Sequence, residues 1–171
     1  SVQALVANGE PATTASAGDA VQILLDTTPF YGEGGGQVGD RGVLSGEDLI
    51  VTVASVSRSR DVFVHAGRIE RGQLSVGDIV TARVDPACRR RAQANHTATH
   101  LLQAALKQVV DPGIGQAGSP VDFDRLRFDF HCPKAVTADQ LLEIEALING
   151  WIAAAHSLVV QEMAIDQANE A

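Results

Sequence analysis

The spacing of apolar residues changes at Asp85, and this change constrains the fold more than any other feature of the chain. Before Asp85, short apolar runs such as Ala20–Leu25 and Ile79–Val84 lie between clusters of Gly, Asp and Ser, a pattern typical of strands joined by tight turns. After Asp85, apolar residues recur every three to four positions, as on one side of a helix. The sequence therefore predicts an α+β fold, with a small β-barrel-like subdomain over residues 1–85 and an α/β subdomain with an antiparallel sheet over residues 86–171.

Two further strands are expected in the β half, at Leu49–Val56 and Val62–Val64. Strict alternation in the first places Ile50 and Val56 on one face and Val51 on the other. Both faces are fairly apolar. Several short strands at this spacing favour a small barrel or sandwich over an open parallel sheet.

The segment Arg89–Val110 is predicted to be a helix that carries two histidines, His96 and His100, four residues apart. The histidines fall opposite the apolar stripe, which comprises Ala98, Leu101, Leu102, Ala105, Leu106 and Val109. Two imidazoles in this spacing can bind one zinc ion, whereas the alternative is a solvated helix face. They do not complete a site, because a structural zinc takes four protein ligands and a catalytic zinc usually three. Thr97 replaces the glutamate of the HExxH metalloprotease motif, which argues against proteolysis by that mechanism.

The predicted start and end of this helix follow from the residues on either side of it. Asp85 is expected to cap it, with Pro86 in the first turn, and Asp111 marks its end. A hairpin or strand pair is expected over Ser119–Phe130, with Phe128 in the core.

A second helix is predicted to open at Thr137. Its buried face is expected to comprise Leu141, Ile144, Leu147, Ile148 and Ile152. A strand is then expected at Ser157–Met163, and residues 164–171 have the pattern of a helix that has only begun.

The segment from Leu24 to Gly42 contains five glycines between Gly32 and Gly39. Glycine permits a positive φ and the close approach of another chain or a ligand, so this segment is either a tight turn or the wall of a pocket. Its G-x-G-x-x-G spacing is a weak match to the dinucleotide fingerprint, because another short strand follows it instead of a helix. The tripeptide GGQ at 35–37 also occurs in peptide release factors, but three residues are weak evidence.

Composition and charge narrow the class of protein. Of the 171 residues, 45% are hydrophobic, which is enough to bury a core. No apolar run indicates a membrane span and no N-terminal pattern a signal peptide, so we expect a cytoplasmic protein with no membrane partner and with Cys88 and Cys132 as reduced thiols. The net charge of −8 argues against indiscriminate binding of nucleic acid. The arginines at 89–91, and Arg58 with Arg60, indicate either a limited phosphate contact or, for the triplet, a solvated helix start.

Four motifs occur in order along the chain: LDTTPFYGEGGGQVGDRG, NHTATHLL, QAGSPV and RLRFDF. In this order and spacing they resemble the editing domain of alanyl-tRNA synthetase, which is shared with free-standing trans-editing proteins. The resemblance extends from about Gln22 to Ala171. It implies hydrolysis of the ester that joins a wrong amino acid, serine or glycine, to tRNA(Ala), within an ATP-binding ligase of protein biosynthesis.

The resemblance also implies roles for individual residues. The family binds zinc through the two histidines of its HxxxH helix, matched by His96 and His100, and through a downstream cysteine and histidine that have no match here. We therefore expect the chain to be a fragment that stops before those ligands, with little activity and with weak or no zinc binding. Gln116 matches a glutamine of the editing pocket, with an implied catalytic and substrate-binding role, and Thr28 matches the threonine that recognises the serine hydroxyl.

The resemblance implies two partners: the acceptor end of tRNA(Ala) and the remaining domains of a parent synthetase. An alternative from a different functional class stays open. In it, the fold is a non-catalytic module that binds tRNA or packs against neighbouring domains. A parent chain that continues into a CxxxH would favour the hydrolase over this alternative.

Overall fold

The computed structural model describes residues 1–157 and 161–168. Eleven strands and three helices lie in these residues. They are β1 (Val2–Ala7), β2 (Glu10–Ala12), β3 (Thr14–Ser16), β4 (Ala20–Leu25), β5 (Gly42–Ser45), β6 (Ile50–Ser59), β7 (Val62–Arg71), β8 (Gln73–Ser75), β9 (Thr81–Val84), α1 (Pro86–Val109), β10 (Gln116–Gly118), β11 (Asp129–Phe130), α2 (Ala138–Ala154) and α3 (Ile165–Ala168). The predicted α+β class is confirmed, and all helices of the described residues follow the β half.

Seven strands form one antiparallel sheet in the order β2-β1-β4-β7-β6-β5-β9. Strands β3 and β8 pair separately, and backbone hydrogen bonds of 2.9 Å from Gly77 to Val2 and from Val2 to Asp78 join β1 to the turn after β8. Ala15 of β3 and Leu74 of β8 enter the same buried cluster as the large sheet. The two sheets therefore enclose one core, as a barrel-like subdomain requires.

Strand β6 departs from strict alternation. Val51 and Val53 are buried, but the register against β7 shifts between Val53 and Ser55, and Val56 is buried as well. The extra residue of such a bulge turns the following side chains to the other face. The prediction that Val56 shares a face with Ile50 is therefore wrong.

Helix α1 begins as predicted. The Asp85 carboxylate accepts hydrogen bonds from the backbone N–H groups of Cys88 (3.0 Å) and Ala87 (2.8 Å), and these bonds lower the pKa of Asp85. Pro86 occupies the first turn, where its missing N–H has no helical partner to lose. The helix ends before Asp111, whose side chain accepts a hydrogen bond from the N–H of Gly113.

Helix α2 opens with a capping box between Thr137 and Gln140. Its contact with α1 buries Ile144 and partly buries Leu147, Ile148 and Trp151, which lie in a second buried cluster with Ala105, Leu106 and Ile114. Leu141 and Ile152 are 56% and 57% exposed, so their predicted burial is wrong. The contact follows the stripe at 144, 147, 148 and 151, and Trp151 occupies the place expected for Ile152.

The remaining predictions for the second half have mixed outcomes. The expected strand pair is shorter and starts earlier, because Gln116–Gly118 pairs with Asp129–Phe130. The predicted strand Ser157–Met163 falls partly outside the described residues, at 158–160, and residues 161–164 form no strand. Helix α3 agrees with the expected start of a helix after 164. The division into domains at residues 1–85 and 86–171 stays a prediction.

Candidate functional site

The segment between β4 and β5, residues 26–41, is here called the glycine loop. It lies against β6, because a Cβ on Gly39 would overlap the backbone carbonyl of Val56. Gly36 has a φ of 81°, and a Cβ there would overlap the carbonyl of Ser119. Both positions require glycine because another backbone segment of the chain approaches each of them closely.

Backbone hydrogen bonds hold the glycine loop on two sides. The N–H of Glu33 donates to the carbonyl of Val56 (2.8 Å). On the other side, the N–H of Val38 donates to the carbonyl of Val121 (3.0 Å), and the N–H of Val121 donates to the carbonyl of Gly36 (2.8 Å). The loop therefore links the large sheet to the segment that follows β10. No helix opens after it, so it does not have the βαβ context of a dinucleotide fingerprint.

An ion pair between Asp40 and Arg89 fixes the glycine loop to the start of α1. The Asp40 side chain is 3% exposed, and it accepts hydrogen bonds from Nε and Nη2 of Arg89 and from the N–H of Tyr31 (2.6 Å). Arg89 Nη2 also donates to the carbonyl of Pro29 (3.0 Å). The hydrogen bond to Asp40 raises the pKa of Arg89 against the opposing effect of burial. This arginine is therefore a structural tie between loop and helix.

The other arginines predicted as phosphate contacts have contacts of their own. Arg90 is exposed, and its Nε donates to the carbonyl of Pro86 (3.2 Å). Arg91 is exposed and forms an ion pair of 2.7 Å with Asp124. Arg58 lies over the ring of Phe63, 5.3 Å from the ring centroid, within the range of a cation–π contact. Arg90 and Arg91 are therefore solvated residues at the start of the helix, whereas Arg89 is bonded to Asp40.

His96 and His100 lie side by side on the exposed face of α1. Their ring centroids are 5.0 Å apart, the planes differ by 27°, and both residues are exposed, as the sequence predicts. The opposite face is packed, and it includes Thr99, whose hydroxyl donates to the carbonyl of Asn95 (2.8 Å). Within residues 1–157 and 161–168, no cluster of three or more His, Cys, Asp or Glu side chains is placed to hold a metal. The pair can supply two nitrogen ligands on one side of the helix.

Thr28, at the start of the glycine loop, contacts a buried histidine. Its Oγ1 lies 2.7 Å from Nε2 of His65, and it accepts a hydrogen bond from the N–H of Phe30 (3.2 Å). His65 is 1% exposed, its Nδ1 lies 3.0 Å from the carbonyl oxygen of Ile23, and the Phe30 ring meets its ring edge-on at 5.4 Å. Burial lowers the pKa of His65, partly offset by the hydrogen bond to Ile23. The ring is therefore neutral at pH 7.

A cavity of about 560 Å³ lies between the glycine loop and α1, and we call it the loop–helix cavity. Its lining includes Pro29 and Phe30, next to Thr28, and Gln93, three residues before His96 on the same helix face. Two aromatic residues, Tyr31 and Phe63, and one amide residue, Gln37, also line this cavity.

The structure brings only some of the predicted site residues into contact. His96 and His100 stack on each other, whereas Thr28 contacts His65 instead of either of them. Gln116 is exposed in β10 and pairs in register with Phe130.

Sequence reasoning missed two residues of this region, His65 and Asp40. His65 lies within an ordinary strand pattern, and its partner Thr28 is 37 residues away. Asp40 lies among turn residues, where acidic side chains are common, and its partner Arg89 is 49 residues away. A polar residue in an otherwise apolar strand was the one available signal for His65.

Comparisons with known proteins identify the class to which this region belongs. Residues 1–88 match the family described as tRNA synthetases class II (A), and the chain belongs to that family. The matched residues comprise the β half, including the glycine loop and His65, and end just inside α1.

Among curated proteins, the chain is similar to alanine–tRNA ligases. It is 83% identical over 170 residues to that of Synechococcus sp. (strain CC9902), covering 99% of the chain and 19% of the relative. It is 73% identical over 175 residues to that of Prochlorococcus marinus (strain MIT 9313), covering 99% of the chain and 20% of the relative. The chain thus spans about a fifth of the length of these relatives, which leaves room in them for further domains. None of the helices in the described residues combines the length and hydropathy that a membrane crossing requires.

Proposed function

We propose that this chain edits mischarged tRNA(Ala), by hydrolysing the ester that joins serine or glycine to the tRNA. One observation carries the proposal: two exposed imidazoles, His96 and His100, continue the α1 face that Gln93 begins at the loop–helix cavity. Solvent-accessible imidazoles beside a cavity can act on a bound ester. The similarity to alanine–tRNA ligases supports tRNA(Ala) as the nucleic acid.

The reaction needs a water molecule and the ester alone. Water adds to the ester carbonyl, the bond between the carbonyl carbon and the ribose oxygen breaks, and a proton passes to that oxygen. The products are a free amino acid and a tRNA with its ribose hydroxyl restored. The loop–helix cavity of about 560 Å³ lies within the range of small-molecule sites, roughly 300–1,000 Å³.

Zinc is part of the proposal, with His96 and His100 as two of its ligands. Two imidazoles are chemically suitable donors, but they are half of a tetrahedral set, and Cys88 and Cys132 form no cluster with them in the part of the chain that is described. The remaining ligands would have to come from outside the described residues. Bound zinc would supply positive charge to polarise a carbonyl or a water molecule.

Selection against alanine is assigned to polar groups of the pocket. A site that forms a hydrogen bond with a substrate hydroxyl rejects an analogue that lacks it, because its own polar groups are then left unpaired. Thr28 supplies such a group on the β side, next to cavity-lining Pro29. Gln116 is proposed as a second contact to the ester, catalytic as well as binding, and its exposure in β10 leaves its amide accessible.

A second candidate is a non-catalytic module that packs against other domains or holds tRNA. The exposed apolar residues of α2 favour packing, because Leu141, Leu142 and Ile152 are all more than half exposed. This candidate and the hydrolase predict different outcomes in the same assay.

The test is single-turnover deacylation of Ser-, Gly- and Ala-tRNA(Ala) by the full-length protein that carries this sequence. The hydrolase should release serine and glycine and spare alanine, and Thr28→Val and Gln116→Ala should erode the preference for serine over alanine. Binding of tRNA without release of any amino acid would overturn the proposal in favour of the packing module. The 171-residue chain alone should be nearly inactive, and stoichiometric zinc in it after purification without a histidine tag would contradict the half-complete ligand set.

A further inference from the structure

The hydrogen bonds around His65 have a defined direction. Nδ1 faces the carbonyl oxygen of Ile23 at 3.0 Å, and a carbonyl oxygen can only accept. The ring proton therefore lies on Nδ1. Burial keeps the ring neutral, so Nε2 carries a lone pair and can only accept.

The protonation state of His65 determines where the hydroxyl proton of Thr28 points. Because Nε2 of His65 accepts, the Thr28 hydroxyl must donate its proton across the 2.7 Å contact. One lone pair of Oγ1 accepts the N–H of Phe30 at 3.2 Å. The oxygen is left with one lone pair and no proton, so it can take a further hydrogen bond only as an acceptor.

We propose that His65 is a positioning residue which holds the Thr28 hydroxyl as an acceptor-only group, so that Thr28 selects a substrate side chain that donates a hydrogen bond. The ligand class is an aminoacyl ester with a β-hydroxyl, and the inference rests on the proposed function for that substrate. Alanine has no donor, and neither has a side chain that carries only an acceptor. Thr28 is half-buried, and its neighbours Pro29 and Phe30 line the loop–helix cavity. A histidine that merely fills the core would leave the substrate preference untouched.

The first test uses tRNA(Ala) esterified with serine, alanine or β-fluoroalanine and the full-length protein that carries this sequence. Fluorine is close to a hydroxyl in size but cannot donate a hydrogen bond. Each rate is divided by the enzyme-free hydrolysis rate of the same ester, which removes the electronic effect of fluorine. The fluoroalanyl ester should react about tenfold more slowly than the seryl ester, a factor expected for one lost hydrogen bond. Equal rates for the fluoroalanyl and seryl esters would overturn the proposal.

The second test separates positioning from folding with His65→Leu, Thr28→Val and the double variant. Each single substitution should lower the ratio of seryl to alanyl hydrolysis about tenfold, and the double variant should lower it no further, because His65 acts through Thr28. His65→Gln keeps an acceptor and should restore part of the ratio. A lower Tm for His65→Leu with an unchanged ratio would assign His65 to the core alone and defeat the proposal. An equal loss of seryl and alanyl hydrolysis in Thr28→Val would also defeat it, since Thr28 would then hold a group that both esters share.

A third measurement does not depend on activity. Solid-state NMR of the sedimented full-length protein, labelled with ¹⁵N-histidine, reports which ring nitrogen carries the proton. The His65 signal is the one lost in His65→Gln. Nδ1 should be protonated and Nε2 bare, and the reverse tautomer would refute the acceptor-only role. If no ester is hydrolysed, the proposed function fails, while this measurement still decides the direction of the hydrogen bond.

Discussion

Two histidine-containing pairs differ in how completely the fold satisfies them. In the Thr28–His65 pair, both ring nitrogens have partners within 3.0 Å, and the ring is buried. In the His96–His100 pair, both residues are exposed and the two rings stack on each other. The first pair is fixed by the fold, whereas the second offers its nitrogens to something outside it. We therefore expect substrate recognition by Thr28 to depend on contacts within the fold. The chemical step at His96 and His100 is expected to depend on a ligand from outside it.

Loss of one exposed histidine should abolish most of the activity and leave stability unchanged. His96→Ala in the full-length protein should lower the single-turnover deacylation rate of Ser-tRNA(Ala) by roughly a thousandfold, the scale of losing metal-assisted charge stabilisation. Because the side chain is exposed, the Tm should stay within about 2 °C of the original. Lys107→Ala, at an exposed position of the same helix, is the control and should change neither quantity. Retained activity in His96→Ala would remove the exposed pair from the site.

The next effect concerns the ion pair that ties the glycine loop to α1. Asp40→Ala should lower the free energy of unfolding by about 3 kcal/mol, because it leaves Arg89 and the N–H of Tyr31 without their buried partner. Urea unfolding of the 171-residue chain measures this.

Arg91→Ala is the matched control for that substitution. Arg91 forms an exposed pair with Asp124, and its loss should cost less than about 1 kcal/mol. Equal losses in Asp40→Ala and Arg91→Ala would show that the buried tie contributes no more than a surface pair.

Two adjacent glycines test how closely the loop wall is packed. Gly35 and Gly36 both have a positive φ, so alanine at either should cost about 1–2 kcal/mol. At Gly35 an added Cβ meets nothing within 4 Å, whereas at Gly36 it would overlap the carbonyl of Ser119. Gly36→Ala should therefore destabilise the chain beyond Gly35→Ala in the same urea experiment. If the two variants unfold at the same urea concentration, the overlap with Ser119 is relieved without any loss of stability.

The pH dependence of stability tests the buried Thr28–His65 pair, and its expected effect is small. The pKa of His65 is lowered from 6.5 by burial, so below about pH 6.5 the unfolded chain binds a proton that the folded chain does not. The free energy of unfolding should therefore decrease as the pH falls from about 7.5 to about 5.5, and the decrease should be shallower in His65→Gln. In the described part of the chain, the hydrogen-bond and aromatic partners of the ring are the Thr28 hydroxyl, the Ile23 carbonyl and the Phe30 ring, none of which is charged. Identical slopes in both proteins would contradict a neutral buried ring.

Local signals predicted most of the fold. Asp85 and Pro86 mark the start of α1 because capping is decided by neighbouring residues, and the outward placement of His96 and His100 follows from helical periodicity alone. The capping box at Thr137 was likewise readable.

The wrong predictions concern features that depend on contacts between residues far apart in the sequence. The bulge after Val53 depends on the register against β7, and the choice of Trp151 over Ile152 depends on where α1 meets α2. The tie between Asp40 and Arg89 joins residues far apart in the chain, so no local pattern indicates it. Motif resemblance supplied the candidate site residues, but it did not indicate what holds them.

The span of 49 residues between Asp40 and Arg89 has a consequence for synthesis on the ribosome. Chains are made at roughly 5–20 residues per second, from the N-terminus onward. The glycine loop therefore leaves the ribosome seconds before Arg89, and longer still before Val121, which bonds its other edge. During that interval Asp40 has no Arg89 to pair with, and β5 to β9, which lie between the two residues in the chain, are themselves being translated. The wall of the cavity is thus completed only after the helix that faces it has been translated.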